Sequence, residues 1–217
     1  MLDLAIVGAT VVTPFGVAPA DVGVVAGKIA HVAPPAALQS AHRTIDARGM
    51  LLIPGAVDPH THLDAEMFSM HTIDDFESGT AAAAAGGVTT IVDYAFQAQG
   101  GSLADAIKKW SAKAHGRAII DYGFHVAILD PSPEAIAEIP RVVDRGVTSF
   151  KIFMMQGFEA RARDYLRAFE VAGDSGALLA IHAEDEHLIG FCTERLLAAG
   201  KHDVTHFAAS RPPLSEA

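Results

Sequence analysis

Cysteine is nearly absent. Cys192 is the single one in 217 residues, which excludes an intrachain disulfide. As a small apolar residue on a helix it outweighs a catalytic thiol. Basic residues are also few. Lys and Arg number 16 against 26 Asp and Glu, the formal net charge is −10, and no basic cluster occurs. That argues against nucleic acid as a partner, which needs a Lys/Arg-rich face, and against anionic membranes. Long apolar runs are missing too. The Ala/Gly-rich stretch from Thr80 to Gly87 is too short and too weakly apolar to span a bilayer. Met1-Leu2-Asp3-Leu4 lacks the basic start of a signal peptide. These absences predict a soluble, cytoplasmic protein.

What is present is apolar material, half of all residues, enough for a substantial core. Residues 1 to about 50 contain short β-like runs such as Leu4-Ala5-Ile6-Val7 and Asp21-Val22-Gly23-Val24-Val25, broken at Pro14-Phe15-Gly16, Gly27 and Pro34-Pro35. They predict a small antiparallel sheet. After residue 50 strands and helices alternate. Strands are expected at 51–57, 88–94, 119–128, 147–153 and 177–182, and helices at about 74–85, 102–115, 133–144, 161–174 and 185–199. Ser132-Pro133-Glu134 reads as an N-cap followed by proline at the first helical position. The repeat of roughly 30 residues is that of a βα pair in a parallel sheet. Five such units are too few to close an eight-stranded barrel, and Arg211-Pro212-Pro213-Leu214-Ser215-Glu216-Ala217 reads as a lead into another helix. The expectation is that the polypeptide continues in its parent protein.

Three strand ends carry unexpected polar residues. The first is Pro54-Gly55-Ala56-Val57-Asp58-Pro59-His60-Thr61-His62. In a strand, residues i and i+2 share a face, so both imidazoles can aim at one point, as a bound zinc ion requires. The second is Lys151 in Ser149-Phe150-Lys151-Ile152-Phe153. A lysine at a strand tip can simply reach water. Taken out of water, its amine has a lowered pKa and can act as a nucleophile or react with carbon dioxide. The resulting carbamate can bridge two metal ions. The third is His182 in Leu179-Ala180-Ile181-His182-Ala183-Glu184-Asp185, where a satisfied core histidine is the alternative. In parallel α/β architectures the C-terminal strand ends are where active sites assemble.

The other histidines carry less weight. His31, His42, His115, His187, His202 and His206 lie in polar or helical surroundings and read as surface residues. His125 lies inside a strand and reads as core. His71 follows the first strand in a loop with Met67, Phe68 and Met70, where it faces either solvent or a substrate.

Together, the His60/His62 stretch, Asp74-Asp75-Phe76-Glu77-Ser78-Gly79-Thr80, Gly86-Gly87-Val88-Thr89-Thr90-Ile91-Val92-Asp93-Tyr94, Ser149-Phe150-Lys151, His182-Ala183-Glu184-Asp185 and Ser210-Arg211-Pro212-Pro213 resemble the dihydropyrimidinase/hydantoinase branch of the amidohydrolase superfamily, in order and spacing as well as in residues. The resemblance implies a TIM-like (β/α)8 barrel plus a β-sandwich. Residues 1–50 would be the N-terminal part of the sandwich, and 51–217 the first five βα units of the barrel. It further implies two divalent metal ions, usually zinc, and a CO2-derived carbamate on Lys151. By motif, His60, His62, Lys151 and His182 would be metal ligands. One further histidine, and an aspartate that is also the general base, would lie on strands after residue 217. The reaction implied is hydrolysis of a cyclic amide or ureide C–N bond by a hydroxide shared between the metals. The small-molecule substrate would be dihydropyrimidine- or hydantoin-like, and the assembly a homotetramer.

One departure stands out. The family usually has a tyrosine five residues after the lysine, where its hydroxyl stabilises the oxyanion. Here that position is Gln156, whose amide can donate a hydrogen bond but is not a phenol. A related cyclic amide or a different ureide is therefore a candidate substrate. Phe68, Phe153 and Phe158 are expected to border the substrate's side group, with core packing an equal alternative for Phe153. Three other readings remain: a non-catalytic relative of the collapsin response mediator type, an allantoinase- or lactonase-like enzyme, and a 217-residue chain that is inactive on its own.

Overall fold

The structure, a computed structural model, describes residues 1–67, 69–155 and 162–216. They form two compact units, Met1–Ala56 and Val57–Ala217.

The first unit is one mixed sheet of β1 (Leu2–Thr13), β2 (Gly16–Val25), β3 (Lys28–Ala33), β4 (Ala41–Asp46) and β5 (Leu51–Leu52). β1, β2 and β3 are antiparallel neighbours, as their hairpin turns dictate. β4 and β5 run parallel to β1, so the expectation of an antiparallel sheet holds for three strands only. The buried carboxylate of Asp21 accounts for part of the departure. It accepts the amide of Gly8 at 2.8 Å, where β1 slips register, and the amide of Ala36 at 2.7 Å. Ala36 belongs to the segment that returns the chain to the free edge of β1. Ala9, Val11, Val22 and Ala47 form the small core.

β6 (Ala56–Thr61) starts at the last residue of the first unit and leads into the second, where a short hairpin follows, β7 (Glu66–Met67) with β8 (Met70–His71). It continues α1 (Phe76–Ala85), β9 (Val88–Phe96), α2 (Leu103–Ala114), β10 (Asp121–Ala127), α3 (Pro133–Asp144), β11 (Ser149–Met154), α4 (Ala162–Asp174), β12 (Leu178–Ala183) and α5 (Glu186–Ala198). Two 3-10 turns complete it, Val204–Ser210 and Pro213–Glu216. The sheet order is β12-β11-β10-β9-β6, a curled half-barrel of parallel strands. The strand expected at 51–57 is split. Pro54-Gly55 interrupts it, Leu51–Leu52 joins the first unit's sheet, and a new strand starts at Ala56. His60 therefore lies within the strand and His62 one residue beyond its end.

Local chemistry explains the repeat. Ser132 caps α3 by accepting the Ala135 amide at 3.2 Å, with Pro133 at the first turn. Asp75 and Ser78 form a reciprocal cap on α1. Turns into β11 and β12 use Gly146 at φ +94° and Gly176 at φ +68°, a region that disfavours side chains. On β11, Phe150 and Ile152 are buried among Ile136, Ile139, Tyr165 and Ala168 of α3 and α4. Burying each such side chain contributes about 1.5–3 kcal/mol. Alternation then sends Ser149, Lys151 and Phe153 to the opposite face. β6 and β12 are the outer strands among the described residues, and Val57 and Leu178 on them are exposed. No helix among the described residues is long and apolar enough to cross a membrane.

Candidate metal centre

The site forms on the sheet face away from the helices. His60 and His62 meet edge to face, with ring centroids 5.2 Å apart. Tyr94 of β9 lies against both, at 4.8 and 5.0 Å, and Phe96 lies 5.5 Å from His62. These aromatic walls fix the ring planes. Nδ1 of His62 is buried and makes no hydrogen bond among the described residues. A buried polar atom without a partner is uncommon and costly. Burial, and then the nearby charges of His60 and Lys151, hold the His62 pKa below its ordinary value. The neutral imidazole, with a lone pair to offer, is the form a metal binds.

Lys151 stands on β11 between Ala127 of β10 and Ala180 of β12, two small register partners that leave space around the amine. Burial lowers its pKa. Its Nζ lies 5.5 Å from the centre of the Phe153 ring. Three basic groups close together repel one another when protonated. Deprotonated, they present lone pairs to a shared cation, and a carbamate on Lys151 would add negative charge.

His182 is the register partner of Phe153, so both share the face of Lys151, and their ring centroids are 6.4 Å apart. Nε2 of His182 is buried and lacks a hydrogen bond among the described residues, although Glu184 Oε2 stands 3.5 Å away. That separation is an electrostatic contact rather than a hydrogen bond. Arg211 Nε in turn lies 3.4 Å from Glu184 Oε1. Among the described residues no three His, Cys, Asp or Glu side chains converge as a ready metal cluster. The donors that do converge are two imidazoles and a lysine, with a third imidazole on the next strand. This set suits zinc if Lys151 carries a carbamate.

Phe153, expected at the substrate's side group or in the core, lies on the site face. Gln156, Phe158 and Phe68 fall outside the described residues. His71, expected in a loop, ends β8 instead and is half-exposed, with Nε2 3.2 Å from Asp64 Oδ1. His125, expected in the core, is half-buried on the site face instead. Its ring is 4.8 Å from that of Tyr94. Asp93 has no place among the expected site residues, yet its carboxylate is fully buried directly behind the His60/His62 segment. A charge inside the apolar run of β9 is the signal that could have found it, as it found Lys151.

The amidohydrolase family profile matches residues 51–212. The chain belongs to this amidohydrolase family. It is 40% identical to a D-hydantoinase of Rhizobium radiobacter over 218 aligned residues, covering 100% of this chain and 47% of that protein. A solved D-hydantoinase structure superimposes with a TM-score of 0.91 at 39% identity, covering 100% of this chain and 47% of the other. An L-hydantoinase (dihydropyrimidinase) from Arthrobacter aurescens superimposes with a TM-score of 0.83 at 27% identity, covering 100% and 48%. This amidohydrolase chain spans about half the length of the curated relatives it matches.

Proposed function

We propose that this chain supplies part of a dinuclear zinc site that opens a cyclic amide or ureide by hydrolysis of a C–N bond. The observation that carries the reading is the grouping of His60, His62 and Lys151, with a buried nitrogen on His62 that has no hydrogen-bond partner among the described residues. His60 and His62 would hold one metal, His182 the other, and carbamylated Lys151 both. When bound, the metals would polarise the ring carbonyl and acidify water. The chain's own residues do the rest. Burial disfavours the protonated form of His62, Tyr94 and Phe96 pack against its ring, and Phe153 offers an apolar wall beside Lys151. On sequence grounds the Gln156 amide would donate to the carbonyl oxygen, and Phe68 and Phe158 would border the ring's substituent. A hydantoin- or dihydropyrimidine-like ring, a homotetramer and a cytoplasmic setting belong to the same proposal. They rest on resemblance.

The test is metal content and ring opening by the whole polypeptide that the gene encodes. The panel comprises hydantoins, dihydrouracil, allantoin, dihydroorotate and lactones. Tightly held zinc and hydrolysis of a cyclic ureide are expected, with both lost in His60→Ala. Zinc-free protein inert toward every ring would overturn the proposal in favour of a non-catalytic relative. Lactone turnover alone would move the substrate class.

A further inference from the structure

Strand alternation turns His60 and His62 toward the site, and it turns Thr61, between them, toward the helices. Asp93 shares that hidden side, because its neighbour Tyr94 faces the histidines. Its carboxylate is fully buried. Oδ2 accepts the Thr61 hydroxyl at 2.8 Å and the Leu63 amide at 2.8 Å, and Oδ1 accepts the Trp110 indole N–H at 3.1 Å. No Lys or Arg pairs with it among the described residues. Thr61 and Leu63 are the residues on either side of His62.

We propose that Asp93 is a positioning residue for His62: one carboxylate oxygen grips the chain immediately before and immediately after that histidine, and thereby sets the direction of its imidazole.

The chemistry of the partners explains why a carboxylate is used. β6 ends at Thr61, so the Leu63 amide has no partner in the strand ladder and needs another acceptor. All three contacts are donors, and only an acceptor-only group satisfies them together. Asparagine would turn its NH2 toward at least one N–H. Trp110, itself almost wholly buried in α2, anchors the far oxygen in the helix layer. The grip on Thr61 and Leu63 thus reaches rigid structure. Metal ligands must be held to within about 0.5 Å and 10–20° of the productive geometry, and outer contacts that orient them are worth about 10–100-fold in metal affinity.

The inference rests on the reading of His60 and His62 as metal ligands, and the experiment separates the two. Zinc affinity of the whole polypeptide is measured by competition with a chromogenic chelator. The variants are Thr61→Val, Thr61→Ser, Asp93→Asn and His62→Ala, and thermal melts of the metal-free proteins accompany them. Thr61→Val keeps the shape and loses the hydroxyl, and should weaken zinc binding about 10-fold, the lower end of the range for outer contacts. Thr61→Ser keeps the hydroxyl and should bind as wild type. Asp93→Asn should weaken binding further. If it does not fold, the threonine pair decides alone. Equal affinity in Thr61→Val and wild type, with binding lost in His62→Ala, overturns the positioning role and leaves the metal site standing. A loss in Thr61→Ser as large as in Thr61→Val also overturns it, because packing rather than the hydrogen bond would then matter. Wild-type affinity in His62→Ala overturns the metal reading and the inference with it.

Discussion

The ring of His125 joins Pro59 to Ser149. Nε2 lies 2.9 Å from the Pro59 carbonyl and Nδ1 lies 2.5 Å from the Ser149 hydroxyl. A carbonyl only accepts, so Nε2 carries the proton, and in the neutral ring Nδ1 accepts from the serine. Pro59 precedes His60, and Ser149 lies two residues before Lys151 on the same face. One imidazole therefore spaces the strand bearing the histidine pair from the strand bearing the lysine. His125→Phe keeps an aromatic ring beside Tyr94 but breaks both hydrogen bonds. It should cost about 1–3 kcal/mol, read as a lowered urea midpoint. An unchanged midpoint would show that the two bonds contribute nothing net.

Asp93 provides a pH signature. Burial, opposed by its hydrogen bonds, raises its pKa from 3.8 to about 6. An acid whose pKa is raised on folding binds its proton more tightly in the native state. Its contribution is therefore fully present below pH 3.8, declines as pH rises toward 6, and is flat above. The change across that window is on the order of a few kcal/mol. Wild-type stability relative to Asp93→Asn should fall between about pH 4 and pH 6 and then level off. A difference independent of pH would mean that Asp93 is ionised throughout.

Glu184 stands between His182 and Arg211, with most of its side chain buried. On the proposed reading of His182 as a metal ligand, this carboxylate would help to orient the ring. Glu184→Gln keeps the size and removes the charge. Zinc affinity should drop about 10–100-fold, and the metal-free protein should also melt lower because Arg211 loses its carboxylate partner. Titration of zinc into both proteins checks this, and equal affinities would exclude the role.

Ile152 is fully buried between β11 and the helices, one residue from Lys151. Ile152→Ala should cost about 2–5 kcal/mol through lost contacts and the cavity left behind. Denaturant unfolding reads that cost. A loss below about 1 kcal/mol would mean that the half-barrel collapses around the gap.

Most of the fold was legible because hydrophobic period and punctuation agree locally. α3 spans 133–144 as the Ser132-Pro133 signal predicts, and β9, β10, β11 and β12 lie within two residues of their expected bounds. The misplacement of the first barrel strand has a different cause. Leu51–Leu52 looks continuous in sequence with Ile53 to Val57, and only its pairing with β1, far away along the chain, removes it from β6. The parallel course of β4 likewise depends on a distant partner.

The residues with unusual chemistry at strand ends could be named from the chain alone. A histidine pair at i and i+2, a lysine in an apolar strand and a histidine closing another are local patterns whose cost or purpose is legible wherever they occur. What surrounds them was decided by tertiary structure. Asp93 and His125 act through contacts 30 and 66 residues distant, to Leu63 and Pro59. No sequence period encodes such a pairing, because a hydrogen bond depends on where the folded sheet places its donor and its acceptor. Composition and periodicity specify which face each side chain occupies, and only the assembled sheet specifies what it meets there.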